Sequence, residues 1–325
     1  MNYRSWAQDH TLPPMSKTIA PADAVAHSWV DRAPARLQPY LRLMRLDRPI
    51  GSWLLFWPCV FGLALGAAVE HRRFLDHWSD LRLLGLFALG TIVMRGAGCT
   101  YNDIVDRDFD AKVARTRARP IPSGAVSVLQ AWTFLAAQCF VGLLILLALN
   151  PFAIMVGALS LVLVAAYPFM KRITWWPQAW LGLTFNWGVL LGCAAQADAL
   201  PLAAFVLYVS GIFWTLSYDT IYALQDIEDD ALVGVKSTAR LFGHRAPVWV
   251  FLFYAITLGL LAAAGLSAGF GLPFLLMLIF VGVHLFWQVS QLEVDRPSIC
   301  LGLFRANREA GALMALAIIM ATWSA

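Results

Sequence analysis

"GCTYNDIVDRDFDAKVARTRARP", residues 98–120, sets four aspartates and five basic residues directly behind a long apolar run. Charge of this density beside a membrane-like segment is costly unless something compensates it. Helical periodicity shows what shares a side. At about 100° per residue, Asn102, Asp103, Asp106 and Asp110 fall within an arc of roughly 100°, while Asp108 points away. Aligned carboxylates repel one another and take up protons unless cations sit among them. All-oxygen ligands suit Mg²⁺ or Mn²⁺, and magnesium completes its shell with waters and substrate phosphates.

A second stretch repeats the pattern. Asp106, Asp110, Ala111 and Val113 recur 120 residues later as Asp226, Asp230, Ala231 and Val233. In "YDTIYALQDIEDD" (218–230) a continuous helix would gather Asp219, Tyr222, Asp226 and Asp230 within about 80°. Basic residues follow each motif: Arg107, Lys112, Arg115, Arg117 and Arg119 after the first, Lys236 and Arg240 after the second, with Lys171 and Arg172 between. Arg and Lys grip phosphate oxygens directly. Carboxylates, metal and cations on one face describe a diphosphate site, and a diphosphate that comes to a membrane carries a lipid tail. The same charges also set topology.

The rest of the chain is membrane-like. Of 325 residues, 60% are hydrophobic and 14% charged, against about 25% charged in soluble domains. The apolar runs give nine spans of roughly 20 residues, near 49–69, 81–101, 126–148, 152–169, 178–197, 201–224, 246–266, 270–290 and 307–325. With the N-terminus on the cytoplasmic or matrix side, only Arg72, Arg73 and Arg82 of the 24 Lys and Arg fall on the far side, as the positive-inside rule requires. Both acidic motifs then lie on the near face. The expected fold is all-α and integral to the membrane: nine transmembrane helices around a central cavity, as two related four-helix halves plus one helix.

Residues 1–37 read as a polar, poorly ordered tail and 38–325 as the transmembrane domain. The tail lacks a signal-peptide core and makes a weak presequence. The expected location is therefore a bacterial inner (cytoplasmic) membrane with the active site on the cytoplasmic side, ahead of a mitochondrial inner membrane. Five cysteines without C-x-x-C spacing or a histidine neighbour read as small buried residues. The lipid bilayer is the expected macromolecular environment, with no nucleic acid partner.

At this point the motifs carry a resemblance. "NDIVDRDFD" and "YDTIYALQDIEDD" followed by "GVKSTARLFG" resemble the two acidic motifs of the UbiA superfamily of intramembrane prenyltransferases. "LMRLDRPIGSWLLFWP", "RTRARPIPSG", "YPFMKRITWWPQ" and "FNWG" are similar to its 4-hydroxybenzoate polyprenyltransferase branch, over roughly residues 40–320. The resemblance implies a nine-helix fold and Mg²⁺-dependent transfer of a polyprenyl chain from polyprenyl diphosphate to 4-hydroxybenzoate, ortho to its hydroxyl, in ubiquinone synthesis. Asn102, Asp106, Asp110, Asp226 and Asp230 would bind metal, with Asp103 a ligand or an orienter. Arg48, Arg107, Lys171 and Arg172 would hold the diphosphate or the benzoate carboxylate. Asp219, deeper on the helical face, would be the base that forms the phenolate; Tyr222 would stand beside it. Asn186 would touch substrate or bond a neighbouring helix, and His284 and Gln288 would join helices. Homogentisate or haem as acceptor is the same-class alternative. A divalent-cation transporter is the alternative from another class, but its site belongs near the midplane in broken helices, whereas these carboxylates lie at span ends.

Overall fold

One long helix lays out the molecule. A computed structural model describes the protein over residues 28–111, 116–232 and 234–324, with the side chains of residues 228–230 left aside. The described chain begins with a 3₁₀ turn, Trp29–Arg32, and the short helix α1 (Gln38–Leu43), then α2 (Ile50–Val69). Next, α3 runs unbroken from Trp78 to Asp110, 33 residues. At 1.5 Å per residue that is roughly 50 Å, well beyond a hydrocarbon core of about 30 Å. Its acidic last turns therefore reach the membrane boundary at what is termed the near end of the bundle.

The other helices are α4 (Val128–Leu147), α5 (Pro151–Ile173), α6 (Pro177–Phe185), α7 (Trp187–Ala197), α8 (Leu202–Ala223), α9 (Ile227–Leu232), α10 (Thr238–Phe242), α11 (Ala246–Ser267), α12 (Leu272–Ser290) and α13 (Pro297–Ser324). Among the described residues, seven segments are long and apolar enough to cross a membrane. The expected span over 178–197 is two shorter helices, α6 and α7, meeting at Asn186. Its side-chain Nδ2 donates to the Gly182 carbonyl and so competes with the helical ladder there. The remaining expected span, α13, carries Arg305, Arg308 and Glu309 in its first half.

Small residues and buried polar groups hold the helices together, as they must where lipid supplies no hydrophobic drive. At the seam between α2 and α7, a β-carbon on Gly62 would lie 2.2 Å from the Val189 carbonyl oxygen, and one on Gly192 would lie 2.6 Å from that of Cys59. In the second half of the chain, Trp214 Nε1 donates to Asn307 Oδ1 (2.8 Å), Asn307 Nδ2 to Gln288 Oε1 (2.9 Å) and the Tyr254 hydroxyl to Gln288 Oε1 (2.8 Å). This network ties α8, α11, α12 and α13. His284 Nε2 meets the Ala306 carbonyl at 3.0 Å, so His284 and Gln288 both join helices.

The far end is closed by Asp80 at the start of α3. Arg72 grips it through two bonds of 2.8 Å, Leu75 N–H donates to it at 3.0 Å and Gln196 Nε2 at 3.2 Å. Burial works against the Arg72 charge, but the bonds to Asp80 and Glu70 outweigh it and raise its pKa. Asp80 is fully buried. Removing one member of such a pair strands the other, at about 3–5 kcal/mol when both are buried. Because Arg72 keeps some solvent and Glu70, Asp80→Ala is expected to cost about 3 kcal/mol, read as a lower unfolding temperature in detergent. An unchanged temperature would remove the clamp from this account.

Candidate active site

The continuous helix that the first motif needs is present, and its carboxylates are met by cations from three other segments. Arg45, just after α1, donates to Asp103 Oδ1 at 2.6 Å. Arg119, from the loop after α3, reaches Asp103 Oδ1 at 3.2 Å and Asp110 Oδ2 at 2.7 Å. At the end of α5, Lys171 pairs with one oxygen of Asp106 and Arg172 with the other at 3.0 Å. Arg172 also stacks over Phe109, 4.6 Å from its centroid. Asp103 and Asp106 are fully buried and Asp110 nearly so. The pairing is how a membrane protein carries three such charges on one helix face. Burial opposes the charge of Arg45, and the anions around it, Asp103 foremost, raise its pKa above the ordinary arginine value.

The second motif comes to the same end of the bundle. The α8 helix gives way to a 3₁₀ turn over Leu224–Asp226 before α9 begins. The 3₁₀ turn interrupts the continuous helix assumed for 219–230. Asp226 is half-buried, and the Asp230 side chain lies outside the described residues. The loop that follows is fastened to α5: Lys236 N–H donates to the Lys171 carbonyl at 2.9 Å, and Lys236 Nζ to that of Ile173 at 3.0 Å. Thr238 N–H donates to Gln178 Oε1 at 3.0 Å. Lys171 therefore joins the first motif, through Asp106, to the segment behind the second.

Beneath this charged end lies a second pair. Arg95 of α3 and Asp219 of α8 interact electrostatically, with Tyr167 of α5 close to both. The two do not form a direct ion pair, and among the described residues the Asp219 carboxylate makes no hydrogen bond. Arg95 stacks over Phe185 at 5.9 Å, contacts Cys99 Sγ and has a buried Nε without an acceptor. Its guanidinium lies against the first turn of α2, where a β-carbon on Gly51 would sit 2.4 Å from Nε. Such a pair keeps unused bonding capacity inside the bundle, where ionisable groups are costly.

The remaining expected residues fall outside these clusters. Arg107 is exposed, about 40° beyond Asp103 at the edge of the carboxylate arc, and pairs with its neighbour Asp108 at 3.5 Å. Arg48 grips Asp47 at 3.0 Å. Asn186 is buried, with Nδ2 donating also to Thr215 Oγ1 at 2.8 Å and Oδ1 without a donor; the bond to Thr215 joins it to α8. The Tyr222 ring packs on Phe304, 4.6 Å between centroids. Asn102 is half-buried on α3. Lys112 and Arg115 lie outside the described residues. Arg95 is not among the expected site residues, although it precedes Asn102 by about two turns and so shares its face. An ionisable residue inside an apolar run was the available signal.

The donor chemistry fits a hard divalent ion. Asp106, Asp110 and Asp226 offer carboxylate oxygens, and Asp103 Oδ2 is buried without any hydrogen-bond donor. Among the described residues no three acidic, His or Cys groups meet at coordinating distance. Asp103, Asp106 and Asp110 each hold an Arg or Lys partner through at least one oxygen.

Comparison with known proteins identifies the family and the fold. Residues 55–310 match the UbiA prenyltransferase family. The 4-hydroxybenzoate polyprenyltransferase, mitochondrial, of Drosophila pseudoobscura pseudoobscura is 48% identical over 296 residues, 91% of this chain and 73% of that protein. A UbiA homologue from Aeropyrum pernix K1, solved in its apo form, superposes with a TM-score of 0.67 at 26% identity, covering 82% of this chain and 97% of that one. Another from Archaeoglobus fulgidus, solved with GPP and Mg²⁺, gives a TM-score of 0.63 at 19% identity over 88% and 98% of the two chains. These findings correct the expected location. The bacterial inner membrane is not supported, because the similar curated protein is mitochondrial. Loop charge obeys the same rule in either setting, so only tail composition had separated them. The multi-pass membrane character stands, and the chain belongs to the UbiA prenyltransferase family.

Proposed function

We propose that this chain transfers a polyprenyl group from polyprenyl diphosphate to the ring carbon ortho to the hydroxyl of 4-hydroxybenzoate, the step its curated relatives are named for. The observation that carries the reading is the layering of α3: carboxylates interleaved with cations at the membrane boundary, and the Arg95–Asp219 pair beneath. The chain crosses the membrane nine times, counting α6–α7 as one interrupted crossing and α13 as the last, in two related halves plus one helix.

Asn102, Asp106, Asp110, Asp226 and Asp230 would hold Mg²⁺, with Asp103 holding the cations around it in place. When bound, the metal neutralises the diphosphate as a Lewis acid. Lys171, Arg172 and Arg119 turn from carboxylates to diphosphate oxygens, so negative charge entering the site is met by cations already present. A ring bearing carboxylate and hydroxyl at opposite ends fits between unlike charges, its carboxylate toward Arg95 and its hydroxyl toward Asp219. Asp219 takes the phenolic proton and thereby makes the ring a far better nucleophile. The allylic C–O bond breaks, diphosphate departs with that electron pair, and the ring carbon bonds to the allylic carbon. The displaced ring proton returns to the oxygen, and the proton on Asp219 leaves to solvent. Phe185 lies beside Arg95 and helps keep water from the reacting cation.

Purified protein in detergent, given 4-hydroxybenzoate, a polyprenyl diphosphate and Mg²⁺, is expected to form prenylated 4-hydroxybenzoate. Chelation by EDTA should stop the reaction and added Mg²⁺ restore it. Divalent-ion flux across liposomes with no prenylated product would replace this reading with a transporter.

A further inference from the structure

Arg45 occupies a position that suits glycine. After α1 the chain turns with Leu46 N–H on the Leu41 carbonyl (3.1 Å) and Arg45 N–H on that of Arg42 (3.0 Å), a left-handed helix ending. Arg45 takes the left-handed residue, with φ 59°, a conformation that strains any residue with a β-carbon. From there its guanidinium is delivered to Asp103, bonding Oδ1 at 2.6 Å while Nη1 donates to the Arg42 carbonyl at 3.1 Å. Arg45 is 8% exposed and Asp103 0%, so the pair has little solvent to replace either partner.

Arg119 stands differently. One of its nitrogens divides itself between Asp103 (3.2 Å) and Asp110 (2.7 Å), and it is more accessible than Arg45. One carboxylate oxygen thus receives two guanidiniums, the first committed to it and the second shared.

We propose that Arg45 is a positioning residue for diphosphate binding: as the standing counter-charge of Asp103, it leaves Arg119 free to turn from the carboxylates to the diphosphate of the substrate. This rests on the prenyl-transfer reading and deepens it. Without Arg45, the buried Asp103 anion has Arg119 as its remaining partner and holds it.

The test is calorimetric titration of inorganic diphosphate with Mg²⁺ into the full chain in detergent, with thermal unfolding alongside. Arg45→Gly relieves the left-handed strain, so the fold is expected to survive. Diphosphate affinity is expected to fall about tenfold, the scale of coupling within one ion-pair network. Arg45→Gly/Asp103→Asn removes the anion that captures Arg119 and should return affinity to within about threefold of Asp103→Asn alone. Arg45→Lys keeps the charge and should stay within about threefold of wild type. Wild-type affinity in Arg45→Gly, or a double variant as weak as it, overturns the proposal. Should Arg45→Gly unfold, Arg45→Lys with a tenfold loss would overturn it too. A wild-type chain that binds diphosphate but prenylates nothing sinks the transferase reading alone.

Discussion

Asp106→Asn is expected to lower turnover about a thousandfold, the upper scale for removing one preorganised electrostatic group from a reaction site. Asp106 is the point where two elements meet: it lies on α3, and it holds Lys171 and Arg172 at the end of α5. An amide in its place is a poorer donor to a hard cation and can no longer balance two positive side chains. The two losses pull apart in the kinetics. Released Lys171 and Arg172 are free to take diphosphate, so the KM for the prenyl donor should rise little or fall, while kcat carries the damage. Both cations are about one-third exposed, so water can solvate them and the protein should stay folded. Steady-state kinetics over a range of donor and Mg²⁺ concentrations read the split. Turnover within tenfold of wild type would take Asp106 out of the reaction.

The second large effect is expected at Asp219. Losing a positioned base costs between about a hundredfold and ten-thousandfold, and Asp219→Asn should fall in that range with diphosphate affinity unchanged. The reason is placement: Asp219 lies seven residues before Asp226 on α8, away from Lys171, Arg172 and Arg119, and its electrostatic neighbours are Arg95 and the tyrosines at 167 and 218. The variant's rate should climb as pH rises and the acceptor ionises in water by itself, whereas the wild type should level off at lower pH. A large loss of diphosphate affinity, or a pH profile parallel to wild type, would assign Asp219 an orienting role instead.

Much of the helical frame could be read from composition and period, because a membrane helix must be apolar over its length and its charges must fall at the ends. The acidic face of α3 was legible for the same reason: a continuous helix turns by a constant angle. That constancy fails at Leu224–Asp226, where a 3₁₀ turn interrupts the second motif, and at Asn186, where one apolar run becomes two helices. Neither break is encoded by proline, and at Asn186 a tertiary partner, Thr215, takes part. Arg45 was illegible for a different reason. Its pairing with Asp103 spans 58 positions and depends on a chain reversal that no local pattern announces. Arg119 was visible as a basic residue, but its bridging of two carboxylates needed coordinates.

The glycines between α2 and α7 have a consequence for motion. Where a β-carbon would strike main-chain oxygen on the facing helix, neither rod can slide or roll without collision. The two behave as a single mast, and any breathing that admits a long hydrocarbon tail has to be borne by other walls of the bundle.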